Sequence, residues 1–160
     1  MEVAKSLKER LISIVKAFKD QKVLVLGDLI LDQFIWGSVD RISPEAPVPV
    51  VLVKKEEFRL GGAGNVATNI RSLGAHPLMV GVINTDTAGD RIQHELERAG
   101  ITTSGLLIDL GRPTIVKTRI IAQHQQVCRV DREAQTIMSL ELLKKSTTFT
   151  LASLPKIDAV

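Results

Sequence analysis

Apolar residues recur along this chain with three different spacings, and each predicts a different element. Over residues 3–19, Leu7, Leu11, Ile14, Val15 and Phe18 fall three and four apart, which predicts an amphipathic helix. The run Val23–Leu26 (VLVL) is short, wholly apolar and closed by Gly27-Asp28. Such a run suits a buried parallel strand that turns at its carboxyl end. Residues 29–36 (LILDQFIW) and 48–53 (VPVVLV) predict further strands. Between them, RISPEAPVP holds three prolines, which forbid a central strand there and allow an edge or a loop.

Helical spacing returns after a glycine loop at 61–64. Val66, Ala67, Ile70 and Leu73 form one face, and Gly74 is a fitting stop. Residues 78–83 (LMVGVI) predict a buried strand. Thr87 with Asp90 fits a capping box that opens a helix through Ile92, Leu96 and Ala99 to Gly100. Extended stretches follow at about 104–108 and 114–122. In the second, Ile115, Lys117, Arg119 and Ile121 share one face, and Val116, Thr118 and Ile120 the other. QHQQ at 123–126 is placed to turn this strand back into VCRV at 127–130 as a hairpin. Residues 139–154 read as helix, and IDAV at 157–160 begins another apolar run. The alternation of strands and helices predicts an α/β fold, and the run at the end predicts the N-terminal portion of a larger α/β domain.

Composition narrows the function more than the fold. Hydrophobic residues make up 44% and charged residues 24% of 160 residues, an ordinary globular balance. A net charge of +3 with no long basic run argues against nucleic acid as partner. Four Phe, one Trp and no Tyr are too few for a base-stacking platform. The first 20 residues are too charged for a signal peptide, and no apolar run approaches a membrane span. The single cysteine, Cys128, cannot form an intrachain disulfide, which fits a reducing, cytoplasmic setting.

The glycine loop is the richest motif. Gly62-Ala63-Gly64-Asn65-Val66-Ala67 matches G-x-G-x-x-A, the outline of a dinucleotide fingerprint, and Asp86 lies where an acidic ribose ligand would stand. That fingerprint needs a strand running straight into the first glycine, whereas here a strand ending near Val53 is followed by seven mostly polar residues. A Walker A loop fits worse, because no Gly-Lys-Ser/Thr follows. Two readings stay open on spacing: a tight helix entry with no ligand, or a bare backbone that admits a small polar ligand, with Asn65 offering its amide to a hydroxyl.

GGAGNVATNIRSLGA, preceded by a strand ending in Gly-Asp and followed by DTAGDRIQHELERAGI, resembles the N-terminal half of the ribokinase-like (PfkB) carbohydrate kinases. GDLILDQFIWGSVDRISPEAPVPVV and TIVKTRIIAQHQQVCRVDRE resemble, within that family, the kinase domain acting on D-glycero-D-manno-heptose 7-phosphate in lipopolysaccharide precursor synthesis. In some relatives a nucleotidyltransferase domain follows. The resemblance covers about residues 20–160. It implies a mostly parallel sheet flanked by helices, with a small β lid at about 29–36, 48–58 and 114–130, through which two copies pair as a homodimer. It implies that Asp28, Gly61, Gly62 and Asn65 bind sugar hydroxyls, with Asp32 as an addition. It implies ATP and Mg²⁺ as cofactors and, as catalytic base, the aspartate of a Gly-Ala-Gly-Asp turn. This sequence has no such turn, and its nearest imitation, Thr87-Ala88-Gly89-Asp90, is better read as a helix cap. The chain by itself is therefore expected to transfer no phosphate.

A sugar that already carries a phosphate needs cations, and Lys117, Arg119 and Arg129 are the candidates if the hairpin forms. The alternative is that they are solvated charges. Arg41, Ser43 and Glu45 of the proline loop are candidates to line the sugar site, and Trp36 for a stacking or subunit contact. His76, His94 and His124 show no metal-ligand spacing, and Cys128 is expected to be a small packed thiol.

Overall fold

The structure, a computed structural model, describes residues 2–160. The chain runs α1 (Glu2–Ala17), β1 (Lys22–Leu26), β2 (Leu29–Ile42), β3 (Pro49–Gly61), α2 (Gly62–Ser72), β4 (His76–Ile83) and α3 (Thr87–Arg98). It continues through β5 (Thr102–Ile108), β6 (Ile115–Ala122), β7 (Gln125–Arg132) and α4 (Leu140–Ser153) to a 3-10 turn at Leu154–Lys156.

The strands form two sheets. β1, β4 and β5 make a parallel sheet in the order β1-β4-β5, with β4 central. Parallel neighbours need helical crossovers, and α2 and α3 supply them. Residues 158 and 159 extend this sheet beyond β1: the Leu24 amide donates to the Ala159 carbonyl at 2.9 Å and the Asp158 amide to that of Lys22 at 2.8 Å. The second sheet has the order β3-β2-β6-β7, antiparallel except for the parallel β2–β6 pair. Leu29, Leu31 and Val116 from this sheet meet Val25, Met79 and Ile83 from the first, and Ala67, Ile92 and Leu96 from the helices close one core.

Several boundaries differ from the sequence reading. β2 extends to Ile42 and β3 to Gly61, so the polar stretch KKEEFRL is strand rather than linker. Most of β3 is open to solvent, so polar residues sit comfortably there and hydrophobic alternation fades. The premise used against a dinucleotide fingerprint, that no strand enters the glycines, is therefore corrected. β3 nevertheless lies antiparallel at an edge of the second sheet, whereas the fingerprint's strand is parallel. The cap of α3 is Asp86 rather than Thr87: its carboxylate accepts from the Gly89 amide at 2.8 Å.

The β6–β7 hairpin closes through Gln123 and His124 alone, with φ of +49° and +66°, the conformation of a type I′ turn. β7 is exposed along its whole length because it is an edge strand. Cys128 on it is consequently exposed, which corrects the expectation of a packed thiol. The apolar face of α1 is also open: Leu7, Leu11 and Val15 remain more than half exposed.

Candidate functional site

The chain crosses between its sheets first at Gly27-Asp28, and β3 re-enters the helical layer at Gly61-Gly62; the structure packs these two joints together. Gly62 has φ +53°, and a Cβ there would meet the Asp28 carbonyl at 2.5 Å. The Ala63 amide donates to the same carbonyl at 2.9 Å, and Leu29 bridges Gly62. The first turn of α2 is thus pinned against the β1–β2 joint, an approach and a backbone angle open to glycine alone. Gly61, the N-cap of α2, offers no capping side chain, and the Asp28 carbonyl takes the Ala63 amide in place of one.

Asp32 lies beside this turn. A Cβ at position 61 would collide with its carboxylate, so the absence of a side chain at Gly61 is what gives Asp32 its place. Asp28 is exposed at the carboxyl end of β1, where ligands of open α/β sheets bind. Asp28, Asp32, Gly61 and Gly62 therefore meet at one corner. Asn65 is placed differently: it is exposed, and lines an open cleft of about 500 Å³ with Phe58, Arg59, Leu60, Thr68, Glu95 and Arg98.

Strand register extends the corner into a charged face. Arg59, Asp32, Lys117 and Asp131 stand in one row across four strands, and Glu57, Phe34, Arg119 and Arg129 in the next. Arg119 donates through Nη1 to Asp32 Oδ1. Lys117 Nζ donates to Asp131 at 3.0 Å and to Glu133 at 3.1 Å, and these bonds raise its pKa above the usual lysine value. Arg129 binds Asp131 through Nε at 2.9 Å and Nη2 at 3.0 Å. Lys117 first, then Arg129, holds the Asp131 carboxyl below its ordinary range. Glu57 is lowered likewise by its bonds to Lys55 and Arg59.

The three cations singled out from sequence thus share one face, each with a carboxylate partner. Sequence reasoning missed Asp131, Glu133, Arg59 and Phe34. The turn at 123–124 alone would set Val130 opposite Lys117; a bulge at Val127 shifts the register by one residue and brings Asp131 there, which no sequence signal marked. Asp86, which matched the position of a ribose ligand, is committed elsewhere: Oδ1 accepts from Gly89 and Oδ2 from the Thr114 amide at 3.0 Å. Arg41, Ser43 and Glu45 sit at the far tip of the β2–β3 hairpin, where the Ser43 amide donates to the Val48 carbonyl at 2.8 Å. Nine residues of strand, about 30 Å when extended, separate Arg41 from Asp32. Trp36 stacks near Phe34, with centroids 6.4 Å apart, and its buried Nε1 has no partner among the described residues. His76 lies 3.7 Å from Asp20, and no metal-binding group of His, Cys, Asp or Glu occurs among the described residues. Among them, too, no helix is long and apolar enough to cross a membrane.

Residues 20–156 match the family model for pfkB family carbohydrate kinases. The bifunctional protein HldE of Helicobacter pylori (strain J99) is 49% identical over 140 residues, which are 88% of this chain and 30% of that protein. The chain spans about 30% of the length of the curated relatives it matches. A solved carbohydrate kinase from Agrobacterium tumefaciens superposes with a TM-score of 0.58 at 22% identity, over 69% of this chain and 35% of that one. A sugar kinase from Pyrococcus horikoshii in complex with ATP does so with a TM-score of 0.51 at 19% identity, over 74% and 37%. The fold is the ribokinase-like α/β fold.

Proposed function

The chain belongs to the pfkB family of carbohydrate kinases, and on that premise we propose that it forms the acceptor-sugar side of an ATP-dependent kinase of D-glycero-β-D-manno-heptose 7-phosphate, phosphorylated at O1. The observation that carries this reading is the corner of Asp28, Asp32, Gly61 and Gly62, where the Asp32 carboxylate and the Asp28 carbonyl lie against glycine backbone that leaves no room for a side chain. Carboxylates accept hydrogen bonds from sugar hydroxyls. Asn65 belongs to the same reading as a hydroxyl ligand. The choice of heptose rests on the segments 27–51 and 114–133 and on likeness to the bifunctional protein HldE.

Phosphoryl transfer is mostly positioning and charge neutralisation. ATP would supply the phosphoryl group and Mg²⁺ would offset its charge; the Gly-Ala-Gly-Asp turn that the resemblance gives the catalytic base does not occur in this sequence. This part of the protein contributes acceptor binding alone, and the isolated chain releases no ADP. The second sheet serves as a lid over the sugar and as the contact of a cytoplasmic homodimer; the open strand edges at β3 and β7 favour that role.

The test is Asp28→Ala in the full-length protein, with sugar and ATP binding measured separately by calorimetry. Loss of sugar binding with ATP binding retained is the expected result, and equal loss of both contradicts the assignment.

A further inference from the structure

The sequence offers Lys117, Arg119 and Arg129 for the phosphate already on the acceptor, yet their commitments in the structure are unequal. Lys117 is clamped between Asp131 and Glu133, and Arg129 chelates Asp131 with both arms of its fork. Arg119 spends one Nη on Asp32, which leaves its other N–H donors outside that bond. A fourth cation stands on the same face. Arg59 is the cross-strand neighbour of Asp32, is 65% exposed, and is tied to Glu57 on its own strand. The guanidinium carbons of Arg59 and Arg119 lie 5.2 and 5.3 Å from the centroid of one ring, Phe34.

We propose that Arg59 and Arg119, set over Phe34 from the strands on either side, form the clamp that receives the phosphate end of a sugar phosphate. This deepens the sugar-kinase reading and rests on it. The aromatic ring orients both guanidiniums without consuming their N–H donors. Paired forks suit a tetrahedral anion better than the ammonium of Lys117, whose charge is already matched twice. Position agrees with chemistry: Phe34 is two residues beyond Asp32 on the same face of β2, and Arg119 reaches back from that ring to the Asp32 carboxylate, so the clamp adjoins the carboxylate proposed to hold a sugar hydroxyl. Asp32 then has two tasks, accepting from the sugar and orienting Arg119.

Arg59→Gln and Arg59→Lys in the full-length protein test this, with circular dichroism to confirm folding. Binding is measured for heptose 7-phosphate, for unphosphorylated heptose and for inorganic phosphate. Arg59→Gln is expected to weaken the sugar phosphate at least about tenfold while changing the unphosphorylated sugar less than about twofold, with Arg59→Lys in between. Equal effects on both sugars, or none on the phosphorylated one, overturn the clamp and leave the kinase reading standing. If Arg59 governs binding of inorganic phosphate but no sugar phosphate is bound or turned over, the two arginines are an anion site, and both the sugar-phosphate role and the kinase reading fail. Absence of any phosphate binding in the unaltered protein overturns both.

Discussion

Asp86 ties together two segments that meet only in the fold: one carboxylate oxygen caps α3 at Gly89, and the other accepts from the amide of Thr114 at the entry to β6. Burial pushes this carboxyl up, but the bonds from Gly89 and Thr114 outweigh it, and the net shift is downward. A lowered native pKa stabilises the fold above the ordinary aspartate value of about 3.9, and that contribution is lost as pH falls through the lowered value. Asp86→Ala removes a helix cap and orphans an amide, at a cost of about 2 kcal/mol. Urea unfolding at pH 7 should show that loss, and at pH 3 the gap between variant and parent should narrow.

Gly61→Ala places a methyl group where the Asp32 carboxylate lies. The expected effect is on the site more than on the fold: kcat/KM of the full-length enzyme for its sugar should fall about 100-fold, as small misplacements do. Gly62→Ala meets both a positive φ and the Asp28 carbonyl, so it should also lower stability, by about 2 kcal/mol. Steady-state kinetics beside thermal melts separate the two variants.

Lys117→Met removes the larger of the influences that hold the Asp131 carboxyl down. Its pKa, followed by carbon NMR, should climb towards the ordinary value, with Arg129 limiting the rise. In the parent protein the Lys117–Asp131 attraction persists from above the carboxylate range to the lysine range. It fails in acid as Asp131 protonates and in strong alkali as Lys117 loses its proton. No movement of the Asp131 resonance would contradict this pairing.

Ile92 is fully buried on α3 against both sheets. Ile92→Ala should cost about 2–5 kcal/mol, measured by chemical denaturation. A cost below about 1 kcal/mol would mean that α3 packs less tightly than the structure has it.

Local pattern carried the parallel sheet and the helices, because VLVL, LMVGVI and the Ile92–Leu96 stripe each answer to a buried face. It carried the second sheet less well. β3 is partly solvated on both faces, so no alternation marked where KKEEFRL belonged. The corner of Asp28, Gly61 and Gly62 was legible through resemblance, but the collision that locks Asp32 over Gly61 needs the register of β2 against β3. Arg59 was hidden for the same reason, since 27 residues separate it from its neighbour Asp32 and only strand pairing brings them together. The cap of α3 was misassigned by one residue because Asp86 and Thr87 are both good cap residues in adjacent positions.

The chain passes between the two sheet-bearing layers at Gly27-Asp28, at Gly61-Gly62, along 109–114 and along 133–139. Two of these four seams carry the residues of the proposed sugar corner. A molecule seated there would touch both layers at once, so one ligand would join the first sheet to the second at the points where the chain itself does.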